Sequence, residues 1–365
     1  MLASHKNNIH LIIFRCFSRL FRLLAYFAFA FALPAFGHHS VFTQFDKTTV
    51  MEIEGTVENI QWRNPHTSIF LSVADKSGKS VTWRLEAGGV SQLVRTGLQR
   101  DYVNVGDHIR AAGWPPITDK KEMFVTNVML DSGDEYLLHR NAPPRWSKNA
   151  IGDQSYQFQT TGDSSRPELG IFRVWSHTDV SPFLIPEDLD RTFDVTTYPL
   201  TAAAKTTLQS FDRLRDNPTR NCRPKGMPTI MEQPYPMMIS RVGDDIQIHM
   251  EEYDSIRLIH MNRQAIPADA PYSRLGYSVG RWDGTALLVT TSKIDWPWFD
   301  QTGIPQSREV VLSERFIASA DGSRLDYEMI VRDPVNFNEP VALQKYWLYI
   351  PGREVLPYEC TPDQG

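Results

Sequence analysis

Three histidines offer the most direct chemistry in this chain: His38, His39 and His66. His38 follows Leu33-Pro34-Ala35-Phe36-Gly37, and cleavage after Gly37 would make it the first residue of the processed protein. Its free α-amine and ring nitrogen would then chelate one ion, and His66 or His39 would add a second imidazole. Amine and imidazole nitrogens together suit Cu(II). Were Gly37 first instead, His39 would stand third, and the amine, two backbone nitrogens and a ring could wrap Cu(II) in a plane. The plainer alternative has His66 capping a turn after Asn64-Pro65 and the two leading histidines in a solvated tail.

A second set lies on two adjacent apolar–polar alternations, Asp245 to Tyr253 and Ile256 to Met261. A two-residue hairpin turn at Asp254-Ser255 sets His249 opposite His260, with Glu251 nearby, and Glu252 opposite Arg257. Two imidazoles and a carboxylate on one sheet face have metal-ligand chemistry; on a solvated face they are ordinary polar residues. Glu251, Glu314 and Asp333 can act as general acids or bases only if the fold gathers them in a pocket. The sequence holds no Gly-x-Ser-x-Gly, phosphate loop, dinucleotide fingerprint or paired-histidine zinc helix.

The surroundings of these residues define a compartment. Residues 1–22 carry Lys6, Arg15, Arg19 and Arg22 without an acid, and an apolar run from Leu23 to Phe36 follows. This pattern predicts a signal peptide over 1–37 and a periplasmic protein with no stable membrane span after processing. Loss of four basic residues takes the formal net charge from −5 to −9. No basic run offsets that charge, which argues against a nucleic-acid partner. Cys16 departs with the leader, so Cys222 and Cys360 remain and are expected to form a disulfide in an oxidising compartment.

The chain is read as all-β, in two domains. In the first (38–137), strands are predicted at 51–62, 68–74 and 80–86. A short helix at 90–98 turns Val90, Leu93 and Val94 inward, and strands at 105–113 and 123–130 follow. Three strands, a helix and two strands is the order of an OB-like five-stranded barrel. Trp62, Phe70 and Trp83 are expected in its core rather than as a base-stacking platform. Residues 138–169, polar and rich in Pro and Ser, form a linker. The second domain (170–365) opens with a strand, passes through a helix capped by Thr201 and stopped at Asn217-Pro218, then runs as antiparallel strands. A larger barrel or sandwich results, lipocalin-like in that Trp282 would plug one end under a basic residue.

Two resemblances follow from motifs in order. His38-His39-Ser40, Phe45-Asp46, Gly55-Thr56-Val57, Trp62-Arg63-Asn64-Pro65-His66 and Trp83-Arg84-Leu85-Glu86 resemble a secreted bacterial family, domain of unknown function 6152, over about 38–135. That resemblance implies a small periplasmic barrel and no established activity. Asn221-Cys222-Arg223-Pro224-Lys225-Gly226-Met227-Pro228 and Gly280-Arg281-Trp282-Asp283-Gly284 resemble a second uncharacterised secreted domain, over about 170–362. The leading expectation is a periplasmic binding protein with an N-terminal copper site and a barrel for a small apolar or aromatic ligand. A secreted enzyme, copper-dependent or acid/base hydrolytic, and an envelope adaptor are the alternatives.

Overall fold

The computed structural model describes residues 45–64, 66–139, 142–152, 161–176, 184–185, 188–192, 198–212, 216, 222–300 and 302–360. The leader, His38, His39, Pro65 and Asn217-Pro218 lie outside the described residues.

Alternating apolar and polar residues build the first barrel: β1 (Met51–Gln61), β2 (His66–Ala74), β3 (Ser80–Gly88), β4 (His108–Trp114), β5 (Glu122–Leu130) and the short β6 (Glu135–Leu137). The sheet runs β3-β2-β1-β4-β5-β6, and a parallel β3–β5 pairing closes it into a five-stranded barrel with β6 outside the closure. Inward positions Val57, Ile69, Leu71, Leu85, Ile109 and Val125 are fully enclosed. Trp62 and Trp83 pack against that core as expected, whereas Phe70 points to the other face of β2 and is half-buried. A helix, α1 (Val90–Arg95), bridges β3 to β4. Val90 and Leu93 face in, but Val94 is solvent-exposed; Leu98, beyond the helix, is buried instead.

Part of the linker is pinned to the first barrel. Glu135, fully buried on β6, accepts the backbone N–H groups of Arg145, Trp146 and Ser147 at 2.7 to 2.9 Å, and Asn127 Nδ2 at 2.7 Å. Burial opposes the Glu135 charge, yet these donors outweigh it and hold the carboxyl below its usual value. One acid thus fastens residues 145–147 onto the first barrel.

The second sheet has eleven strands in the order β7-β10-β11-β12-β13-β14-β15-β16-β17-β8-β9. They are β7 (Val174–Trp175), β8 (Leu184–Ile185), β9 (Asp188–Thr192), β10 (Met237–Val242), β11 (Asp245–Met250), β12 (Ser255–His260), β13 (Tyr277–Asp283), β14 (Ala286–Ser292), β15 (Val311–Ala318), β16 (Arg324–Arg332) and β17 (Val341–Leu348). Ser176 and Leu348 exchange backbone hydrogen bonds at 2.9 and 3.0 Å, which brings β7 to β17 and nearly closes a nine-stranded barrel. The helix α2 (Ala202–Ser210) starts at Thr201, whose Oγ1 accepts from Ala204 N. One pair departs from the antiparallel expectation: β12 and β13 run parallel over two residue pairs, joined by the crossing segment 261–276.

Both barrels lie in one compact unit, residues 38–365. Arg95 at the end of α1 donates through Nη1 to Glu251 Oε1 at 2.7 Å and through Nη2 to Oε2, with both side chains almost fully enclosed. Leu356 N donates to the same carboxylate at 2.9 Å, and Asn64 N donates to the Glu359 carbonyl at 3.0 Å. The adjacent Cys360 is bonded to Cys222, so the C-terminal tail is fixed to both barrels at once.

Candidate functional site

The histidine-bearing motif is first of all a brace. Gly89 caps α1 without a side chain, so the helix lacks its own N-terminal acceptor. Asn64, in the connection between β1 and β2, supplies one: its Oδ1 takes Ser91 N at 3.4 Å and its Nδ2 donates to Ser91 Oγ at 3.2 Å. Pro65 is outside the described residues. His66 opens β2 opposite Gly88, and its Nδ1 lies 3.4 Å from Glu86 Oε1. Arg84 Nη2 stands 3.6 Å from the other oxygen of Glu86. His66 therefore sits beside a carboxylate at the start of β2. Among the described residues no three His, Cys, Asp or Glu side chains converge as a ligand set.

The His249–His260 pairing is not formed. The observed register sets His249 opposite Ile256 and Ile246 opposite Ile259. The connection is longer than two residues: a single 3-10 turn spans Glu252–Asp254, with Tyr253 and Asp254 both at positive φ. The shift is an even number of residues, so the predicted faces survive although the partners change. His260 Nδ1 meets Asp245 Oδ2 at 3.0 Å and the ring stacks on Tyr277 at 4.5 Å. His249 lies 4.0 Å from Asp254. Glu251 serves the contact between barrels, and Glu252 pairs with Lys225 at 2.9 Å rather than with Arg257.

Arg257 has a different partner, which spacing could not reveal. Inside the second barrel its Nη1 donates to Glu314 Oε1 at 2.8 Å, its Nε to Ser278 Oγ at 3.0 Å and its Nη2 to Thr291 Oγ1 at 2.6 Å. Tyr327 donates its hydroxyl to Glu314 Oε1 at 2.7 Å. Burial works against the Arg257 charge, but Glu314 outweighs it and holds the guanidinium above its ordinary value. Deeper in the same interior, Lys345 donates to the Met231 carbonyl at 3.0 Å, and burial pushes its ammonium down to about 7. Asp333 is equally committed, accepting from Ser307 N, Ser307 Oγ and Asn336 Nδ2 at 2.7 to 2.9 Å. All three candidate acids therefore carry structural bonds.

The barrel interior is filled. Trp175, Trp347, Tyr327, Phe299 and Phe316 are essentially inaccessible and pack into one cluster. Trp282 does not plug it: this side chain is 39% exposed at the β13–β14 hairpin, edge-on to Phe172, over which Arg241 sits at 4.1 Å.

The large cavity, about 1180 Å³, lies on the outside, across β13 to β17. Register makes its shape plain. One row of outward residues runs Arg281, Leu288, Arg315, Glu328, Gln344; the neighbouring row runs Val279, Thr290, Ser313, Ile330, Ala342. Between them the floor is backbone, because Gly280, Val289, Glu314, Met329 and Leu343 turn inward. Residues 261–266 close one end. Gly280 is required there, since a Cβ would come within 2.6 Å of Ile259 and Met261. Five strands span roughly 20 Å, so the groove suits an elongated occupant.

Comparison with known proteins bears on the first barrel alone. Residues 28–123 match the Family of unknown function (DUF6152). The match takes in the Asn64 and His66 motif and the first four strands, and it ends at the start of β5. No curated protein and no solved structure matches the chain.

Proposed function

We propose that this chain is an exported, periplasmic binding protein whose ligand is an elongated amphipathic small molecule held in the outer groove of the second barrel. The observation that carries this reading is the groove itself. It is near the upper end of small-molecule site volumes, with Ile330 and Ala342 along one wall and Arg281, Arg315 and Gln344 along the other. Binding is favoured over catalysis because the acids at the groove already have partners: Glu314, turned inward beneath the floor, pairs with Arg257, and Glu328 lies 3.8 Å from Arg315. The Cys222–Cys360 disulfide supports an oxidising compartment. Among the described residues no helix is long and apolar enough to cross a membrane.

A dansyl-labelled undecanoic acid should bind the processed protein saturably, with a rise in fluorescence. Ala342→Trp, at an exposed position on the groove wall, should weaken that binding by about tenfold or more. Equal affinity in the two proteins would reject the groove as the site.

A second reading, copper held by His66 with His38 or His39, is favoured by the Glu86–His66 contact. A carboxylate beside an imidazole fixes the ring and strengthens it as a ligand. The processed protein should then show a stoichiometric Cu(II) paramagnetic resonance signal that His66→Ala removes. An unchanged signal in that variant would exclude His66.

A further inference from the structure

A smaller cavity of about 240 Å³ sits elsewhere, between β12 and the segment Ser273–Ser278. Its apolar wall is Ile256 and Leu258, which are 53% and 40% exposed although both are large aliphatics. Beside them, on the same face of β12, lies His260, stacked on Tyr277 and held in place by Asp245. Arg274 lines the cavity from the segment Ser273–Ser278, while the other lining cation, Arg257, is already paired with Glu314. The Arg274 side chain is half-buried, and among the described residues its guanidinium makes one hydrogen bond, from Nη1 to the Lys225 carbonyl at 2.7 Å. Among the described residues no carboxylate lies within ion-pair distance of it, unlike Arg257 or Arg95 in the same molecule. Burial alone acts on its charge, and lowers its proton affinity.

The position is also firmly built. The Arg274 carbonyl accepts Met227 N at 2.9 Å, and Ser273 exchanges backbone bonds with Lys293 and Asp295. Gly226 permits this approach, since a Cβ there would stand 2.5 Å from the Arg274 carbonyl oxygen. A rigid, partly desolvated guanidinium with spare donors, set beside exposed aliphatics, is complementary to an anion with an apolar body.

We propose that this cavity is a second binding site, separate from the outer groove, for a small carboxylate bearing one ring or a branched apolar group. The carboxylate would take the free guanidinium donors of Arg274, and the apolar body would cover Ile256 and Leu258. A planar acid of one ring matches both the volume and the single cation.

Benzoate, titrated into the full processed chain and followed by amide chemical shifts, tests the site. The expected result is a saturable shift confined to residues 256–260 and 273–278, with a dissociation constant on the order of millimolar. Arg274→Gln should weaken binding by about tenfold. Leu258→Glu, at an exposed position that the fold does not depend on, should abolish it while leaving the thermal midpoint unchanged. Benzylamine, with the same ring and the opposite charge, should produce no saturable shift. Shifts spread over the surface, equal response to benzylamine, or undiminished binding in Leu258→Glu would each overturn the proposal. Binding of the dansyl acid in the outer groove should persist in Arg274→Gln, so either site can fail independently of the other.

Discussion

Glu314→Ala is expected to destabilise the second barrel by about 3–5 kcal/mol, a large share of an ordinary domain's stability. The reason is what it leaves behind. Arg257 has a side chain about 1% exposed, and Glu314 is its only counter-charge among the described ion pairs. Without that carboxylate the guanidinium stays buried beside the Ser278 and Thr291 hydroxyls, and Tyr327 loses its bond to the carboxylate. Removing both charges at once should cost far less. Arg257→Met combined with Glu314→Leu replaces the pair by apolar side chains, and buried pairs treated in this way are often neutral or stabilising. Urea denaturation of the two singles and the double gives the coupling. A double variant as unstable as either single would show that the pair itself, and not the orphaned charge, sets the stability.

Removing the disulfide by Cys222→Ser with Cys360→Ser is expected to cost a similar amount, about 5 kcal/mol on loop-closure grounds. The two cysteines are separated by 138 positions, so the bond removes a large share of chain freedom from the unfolded state. Its loss should reach further than its immediate neighbours. The tail carries Leu356 N to Glu251 and the Glu359 carbonyl to Asn64, so a freed Cys360 loosens the tail's hold on each barrel. The variant should therefore show a lowered urea midpoint together with new protease cleavage between residues 351 and 360. A midpoint shifted without tail cleavage would mean that the hydrogen bonds hold the tail unaided.

The barrels were legible because their strands bury one face against water. Alternation in Met51–Gln61 and Asp245–Met250 marks which residues turn inward, and order alone suggested the OB-like closure. Partners across the barrel were not legible. Arg257 and Glu314 are 57 positions apart, and each reads locally as a polar residue within an alternating strand. The His249–His260 register failed for a specific cause. Tyr253 and Asp254 adopt positive φ without glycine, so the longer turn left no mark in composition. Gly280-Arg281-Trp282 was legible as distinctive but not in its role. The glycine, not the tryptophan, proved the constrained residue, through its approach to Ile259 and Met261. Neither cavity had a signal in the sequence. Each is made by outward residues from elements distant along the chain, and an exposed aliphatic such as Ile330 is unremarkable until its neighbours are known.

The most direct test of the binding reading is hydrogen exchange of the processed protein with and without saturating dansyl undecanoic acid. Protection should rise in residues 261–266 and in the strands β13 to β17, while the first barrel exchanges at the same rate in both states. Protection appearing instead in the first barrel, or inside the second at β10 to β12, would contradict the outer groove as the site.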